Sequence, residues 1–139
     1  MNFIDDAILL KPIGWVRTKA ARVPRNWWLS DVEGTLEIDP ALGEGLHDIH
    51  PGQRLLVLFH FHQSPAFSPD KLVQKPPHRD RPMGIFSICS PIRPNPIGLS
   101  VVEVLEVNGS DLRVRGLDMI DGTPILDLKP DFREREPGT

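Results

Sequence analysis

Long apolar runs, excess basic charge and cysteine are all scarce in this sequence. No window approaches the roughly 18 continuous apolar residues of a membrane-spanning helix, so no membrane segment is expected. Lys and Arg number 16 against 19 Asp and Glu, for a net charge of −3. That balance argues against broad, non-specific nucleic-acid binding, which needs a basic footprint, but it permits a local basic patch. The single cysteine, Cys89, excludes an internal disulfide and suits a reducing compartment, so a cytoplasmic location is expected. The first residues, Met1 to Asp6, carry early acids and no basic n-region, and no signal peptide is expected there. There is no internal repeat, no convincing amphipathic helix and no Gly-x-Gly-x-x-Gly or Walker phosphate loop. A nucleotide-like cofactor would have to be held differently from the way a Rossmann fold holds one.

Proline, by contrast, is abundant: 15 residues, eight of them between Pro65 and Pro96. The chain of 139 residues fits one domain, and its 40% hydrophobic content can supply a core. Apolar runs read as short strands. Ile8–Thr18 is a first strand, with Pro12 suggesting an edge or bulge. Gly34–Ile38 alternates and reads as a second, followed by a turn at Asp39–Gly43 and one helical turn through Leu46. Gln53–Gln63 is the strongest. At a period of two, Leu56, Leu58, His60 and His62 share one face, and Val57, Phe59 and Phe61 the other. Met83–Ile88 and Ile97–Val104 read as two more. Asn108-Gly109 between apolar runs signals a hairpin into Leu112–Leu117. The pattern predicts an all-β fold: a small closed or nearly closed β-barrel over residues 8–132 with long proline-rich loops, then a polar tail over 133–139.

The stretch Arg81–Ser100 is the hardest to explain as ordinary packing. In Ser90-Pro91-Ile92-Arg93-Pro94-Asn95-Pro96 three prolines fix three φ angles and remove three backbone donors. The loop should be stiff, with carbonyls left over as acceptors. It presents Arg93 and Asn95, and Gly98 allows a close approach. Such a loop either positions a ligand or closes the barrel as a rigid turn.

Other clusters invite chemistry. Lys19–Trp28 brings Lys19, Arg22 and Arg25 beside Trp27 and Trp28, which suits a stacking platform, a partly buried core or a dimer surface. Asp118, Asp121-Gly122-Thr123-Pro124 and Asp127 form a second dense group. It is read either as a turn in which Asp121 and Thr123 bond the backbone or as a site for a ribose or amine. Two residues separate Asp118 from Asp121, which rules out the one-residue gap of a haloacid-dehalogenase-like phosphatase loop. His60 and His62 have strand spacing that can bind zinc, but no second Cys or His pair completes a shell, and no metal is expected. Cys89 is read as a buried small hydrophobe rather than a nucleophile.

The motifs Met83-Gly84-Ile85-Phe86, Arg93-Pro94-Asn95-Pro96-Ile97-Gly98 and Asp121-Gly122-Thr123-Pro124, with Ile13-Gly14-x-Val16-Arg17-Thr18, Val23-Pro24-Arg25 and His62-Gln63, resemble the TsaA-like family, also called YaeB-like or TrmO-like. The resemblance spans residues 8 to 132. It implies a β-barrel N-methyltransferase that uses S-adenosylmethionine, works as a homodimer with the cofactor near the subunit interface, and methylates threonylcarbamoyl-adenosine in tRNA. It places cofactor contacts at Arg25, Asn26, Trp27 and Trp28, at His62 and Gln63, at Cys89, Arg93 and Leu99, and at Asp121, Gly122 and Thr123. It assigns no catalytic residue. His62 and Asp118 are the candidates for a general base. Three positions depart from the family pattern: Cys89 and Asp131 replace a usual arginine and tyrosine, and Asn26 a usual glutamine. A binding module for S-adenosylmethionine, or a methyltransferase with a smaller acceptor, therefore stays open as the alternative.

Overall fold

The computed structural model describes residues 6–134. The N-terminal residues read for a signal peptide and the end of the polar tail lie largely outside that range. Eight strands form: β1 Gly14–Arg17, β2 Glu33–Ile38, β3 Arg54–His60, β4 Val73–Gln74, β5 Met83–Gly84, β6 Ile97–Asn108, β7 Asp111–Arg115 and β8 Pro124–Pro130. Six of them close a barrel in the order β1-β2-β7-β6-β3-β8, antiparallel at every seam, while β4 and β5 pair apart from it. Among the described residues the only helices are short 3-10 segments, such as Pro40–Leu46, which the Asp39 carboxylate caps through the Ala41 N–H.

Alternation explains why these segments close on themselves. In β7 Leu112 and Val114 are buried and Arg113 and Arg115 exposed. Val16, Leu36, Leu55, Val57, Phe59, Val102, Val104 and Ile125 meet them inside. Each such side chain contributes about 1.5–3 kcal/mol on full burial. Outside, Arg113 pairs with Glu33 and Glu106, and Arg115 with Glu103, tying β7 to β2 and β6 across the sheet. The long strand β6 serves two neighbours, β3 along its first half and β7 along its second, with a register shift between Val104 and Glu106. The hairpin turn itself is Gly109-Ser110, with Gly109 at φ +61° and Asn108 opposite Asp111 as the last pair.

Two strand expectations fail for local reasons. The first strand begins only at Gly14, after Pro12, because its pairing with β8 covers just Gly14 and Trp15. The apolar run Met83–Ile88 is a strand for two residues and then a 3-10 turn, Ile85–Ser87. That turn buries Ile85 and leaves Phe86 79% exposed. Cys89 follows it on the surface, so its expected burial is overturned. The connection 61–96 holds the β4–β5 pair and the 3-10 turns Pro69–Lys71 and Ile85–Ser87.

Candidate functional site

The strand order sets where the chemistry gathers. Because all neighbours run antiparallel, the ends of β1, β3 and β7 and the starts of β2, β6 and β8 lie at one end of the barrel. The three connections at that end are residues 18–32, 61–96 and 116–123. They carry Arg25, Asn26, Trp27, Trp28, His62, Gln63, Cys89, Arg93, Asp121, Gly122 and Thr123, and Leu99 is the third residue of β6 beside them. All twelve expected cofactor-contact positions therefore belong to, or directly follow, the connections of that end. The same connections hold eight of the chain's 16 Lys and Arg but only five of its 19 Asp and Glu. A net positive end stands on a net negative chain.

Specific bonds tie the three connections together. The Arg25 Nη1 lies 3.1 Å from His78 Nε2, joining the first to the second. Ser30 Oγ donates to the Leu117 carbonyl, joining the first to the third. Thr18 N–H donates to Asp121 Oδ1 at 3.0 Å, fixing the end of β1 on the β7–β8 turn. Within the second, Ser64 Oγ donates to the Pro91 carbonyl, which sets the turn after His62-Gln63 against the proline loop. Gln74 Nε2 donates to Ile92 O at 2.8 Å. Trp27 and Trp28 meet edge to face, 5.5 Å between centroids. Among the predicted positions this is the one direct side-chain pair described. The others are brought to one end through intermediaries.

The proline loop is less open than its composition suggests. Arg93 Nη1 donates to the carbonyls of Ile88 and Ser90 at 3.0 and 3.1 Å. The carbonyls of Pro91 and Ile92 accept from Ser64 and Gln74, and those of Asn95 and Pro96 from the Ile97 and Phe61 amides. Proline removes donors, and Arg93, two outside side chains and two backbone amides take up most of the acceptors it leaves. Arg93 thus braces the loop. The turn Asp121-Gly122-Thr123 is likewise bonded to backbone, with Thr123 Oγ1 donating to Ile120 O at 2.7 Å and Gly122 at φ +84°. That is the turn reading of this motif.

Two groups are beyond sequence reasoning. Ser100, fully buried, donates its hydroxyl to Asp118 Oδ1. Burial pushes the Asp118 carboxyl above the usual carboxylate range, while Ser100 and the Trp27 amide pull against that shift. Asp131, the departure from the family tyrosine, is a buried carboxylate engaged by Arg133 and Arg54. Arg133 holds it below the usual range.

The residues at the loop end fit a ligand with a carboxylate, a cation and a planar base. Arg25 is an exposed cation, Trp28 and Leu99 are 59% and 53% exposed apolar faces, and Asp121 is an exposed carboxylate. The two best-defined hollows, about 390 and 540 Å³, lie at the opposite end, around the β2–β3 connection and the β6–β7 turn. Volume and chemistry therefore disagree. The chemistry is the better guide, because none of the twelve expected positions lines either hollow, and a site made of loops is open by construction. Among the described residues no cluster of three or more His, Cys, Asp or Glu could hold a metal ion, and no helix is long and apolar enough to cross a membrane.

Fold and site together define a closed six-stranded antiparallel barrel whose chemistry is carried on the loops of one end. The chain belongs to the family described as the tRNA-methyltransferase O N-terminal domain, whose model matches residues 16–135. It is 40% identical over 125 residues to an S-adenosyl-L-methionine-binding protein of Archaeoglobus fulgidus, covering 88% of each chain. It is 43% identical over 74 residues to the mouse tRNA (adenine(37)-N6)-methyltransferase, covering 53% of this chain and 17% of that one. The crystal structure of TrmO from Pseudomonas aeruginosa superposes with a TM-score of 0.71 at 28% identity, over 96% of this chain and 61% of that one. The chain spans about half the length, or less, of several other curated relatives it matches.

Proposed function

We propose that this chain binds S-adenosylmethionine across the loop-bearing end of the barrel and transfers the methyl group to adenine N6 in tRNA, with threonylcarbamoyl-adenosine as the acceptor nucleoside. The observation that carries the reading is the convergence of all twelve contact positions, and of half the chain's Lys and Arg, on that one end. Relatives whose names specify S-adenosylmethionine binding and adenine-N6 methylation support it.

Bound there, the cofactor would supply a sulfonium methyl to the acceptor nitrogen, which would lose its proton to solvent while the electron pair of the methyl–sulfur bond stays on sulfur. The chain's own residues position and desolvate. Arg25 takes the cofactor carboxylate, since Arg93 is committed to its own loop. Trp28 and Leu99 offer apolar faces to the adenine, and His62, Gln63 and Asp121 meet polar edges. Asp118, engaged by Ser100 and Trp27, positions the loops rather than taking the proton. A second copy of the chain covers exposed Phe86 and Ile97 and completes the site as a homodimer. The positive end meets the RNA backbone.

Incubation with methyl-labelled S-adenosylmethionine and total tRNA tests the reading. Label recovered in an N6-methylated threonylcarbamoyl-adenosine supports it. Saturable cofactor binding with no label in tRNA favours a second reading, a binding module for the same cofactor or an enzyme with a small acceptor. Two observations motivate that second reading: exposed Cys89 in place of the family arginine, and a relative of similar length named only for binding.

A further inference from the structure

One charge cluster, with a buried carboxylate at its centre, joins the start of β3 and the turn after β8 to the loop residue Trp27. The Asp131 side chain is 1% exposed, and Arg133 donates to both its oxygens, Nε to Oδ1 at 2.9 Å and Nη2 to Oδ2 at 2.8 Å. Arg54 Nε lies 3.9 Å from the same carboxylate and 3.4 Å from Glu134. A bidentate carboxylate fixes the plane of a guanidinium as well as its position. Both guanidiniums so placed face the same aromatic ring: their Cζ atoms are 5.8 and 5.9 Å from the Trp27 centroid. That is the range of a cation–π contact. Trp28 stands against Trp27 edge to face, at 89°.

The Trp27 ring is thereby flanked by residues from the start of β3 and from the turn after β8. Trp28, one residue on, is exposed. The two tryptophans that look equivalent in sequence have different surroundings: protein cations flank the first, and the second is open to a ligand.

We propose that the Arg54–Asp131–Arg133 cluster is a positioning device that clamps Trp27, so that the Arg25–Trp28 segment stands in one place and Trp28 is the aromatic face offered to the cofactor's adenine. The second half rests on the function proposed above, and the clamp itself does not. It assigns a purpose to Asp131, which stands where the family tyrosine is usual: it orients two arginines onto a ring instead of contributing a ring of its own.

Amide hydrogen exchange over residues 26–30, read beside S-adenosylmethionine affinity, tests the clamp. In Asp131→Ala the segment is expected to exchange several-fold faster and the Kd to rise about tenfold, the cost of binding to a loop that must first be ordered. Trp28→Ala is expected to raise the Kd with exchange unchanged. Asp131→Asn, which keeps one acceptor for Arg133, should fall between wild type and Asp131→Ala, and it serves if the alanine variant does not fold. Unchanged exchange in the Asp131 variants overturns the clamp. Faster exchange with an unchanged Kd overturns its role in binding. If the wild-type protein binds no S-adenosylmethionine, the functional reading fails, and the exchange rates still decide the clamp.

Discussion

The Ser100 hydroxyl, wholly buried near the start of β6, donates to the Asp118 carboxylate at the rim of the barrel. The Trp27 amide, in the loop that follows β1, favours the charged form of the same carboxylate. A half-buried acid thus lies where three parts of the chain meet.

Its protonation has a definite sign. Burial raises the folded-state pKa of Asp118 above its unfolded value, about 3.9 for an aspartate. The folded chain therefore binds the proton more tightly than the unfolded one. Stability from this group is greatest below the unfolded pKa and declines as pH rises through the folded value. Asp118→Asn keeps an acceptor for Ser100 and Trp27 but cannot ionise. The variant should gain stability relative to wild type between acid and neutral pH, as chemical denaturation across that range will show. A constant difference would mean that the carboxyl is not perturbed.

Gly98 and Phe59 face one another across β6 and β3. A methyl group at Gly98 would lie 2.2 Å from Phe59 Cζ, and Phe59 is packed in the core. Gly98→Ala should cost about 1–3 kcal/mol, as overpacking does. Phe59→Leu should recover part of that loss in the double variant, so urea denaturation of the four species should show favourable coupling. Additive losses would place the strain elsewhere.

Arg93 braces the proline loop through the Ile88 and Ser90 carbonyls. Arg93→Ala should cost about 1–2 kcal/mol of stability, the scale of hydrogen bonds from a charged donor. It should also speed amide exchange around Cys89 and Ser90. Unchanged stability with a weaker Kd for S-adenosylmethionine would instead make Arg93 a direct ligand contact.

Much of this fold is legible in the sequence where a segment's environment is periodic. β3, β7 and the hairpin at Gly109 follow from alternation and turn chemistry alone. The RPNPIG and DGTP motifs placed the family, and through it the end of the barrel that matters. What could not be read depended on contacts between distant residues. Met83–Ile88 looks like a strand, yet only two of its residues find a partner, and Phe86 is left outside. The proline loop looks rich in free carbonyls until Ser64, Gln74 and Arg93 bond them. Asp118 looks like a candidate base until Ser100, 18 residues earlier, is found against it. Trp27 and Trp28 look alike until Arg54 and Arg133 are brought beside the first.

Calorimetric titration with S-adenosylmethionine tests the central claim most directly, comparing the wild-type chain with Arg25→Ala. Saturable binding with a micromolar Kd is expected in the wild type and a weaker Kd in the variant. Absence of saturation at millimolar ligand in the wild type, or an unaltered Kd when Arg25 is removed, would contradict the cofactor site placed at this end of the barrel.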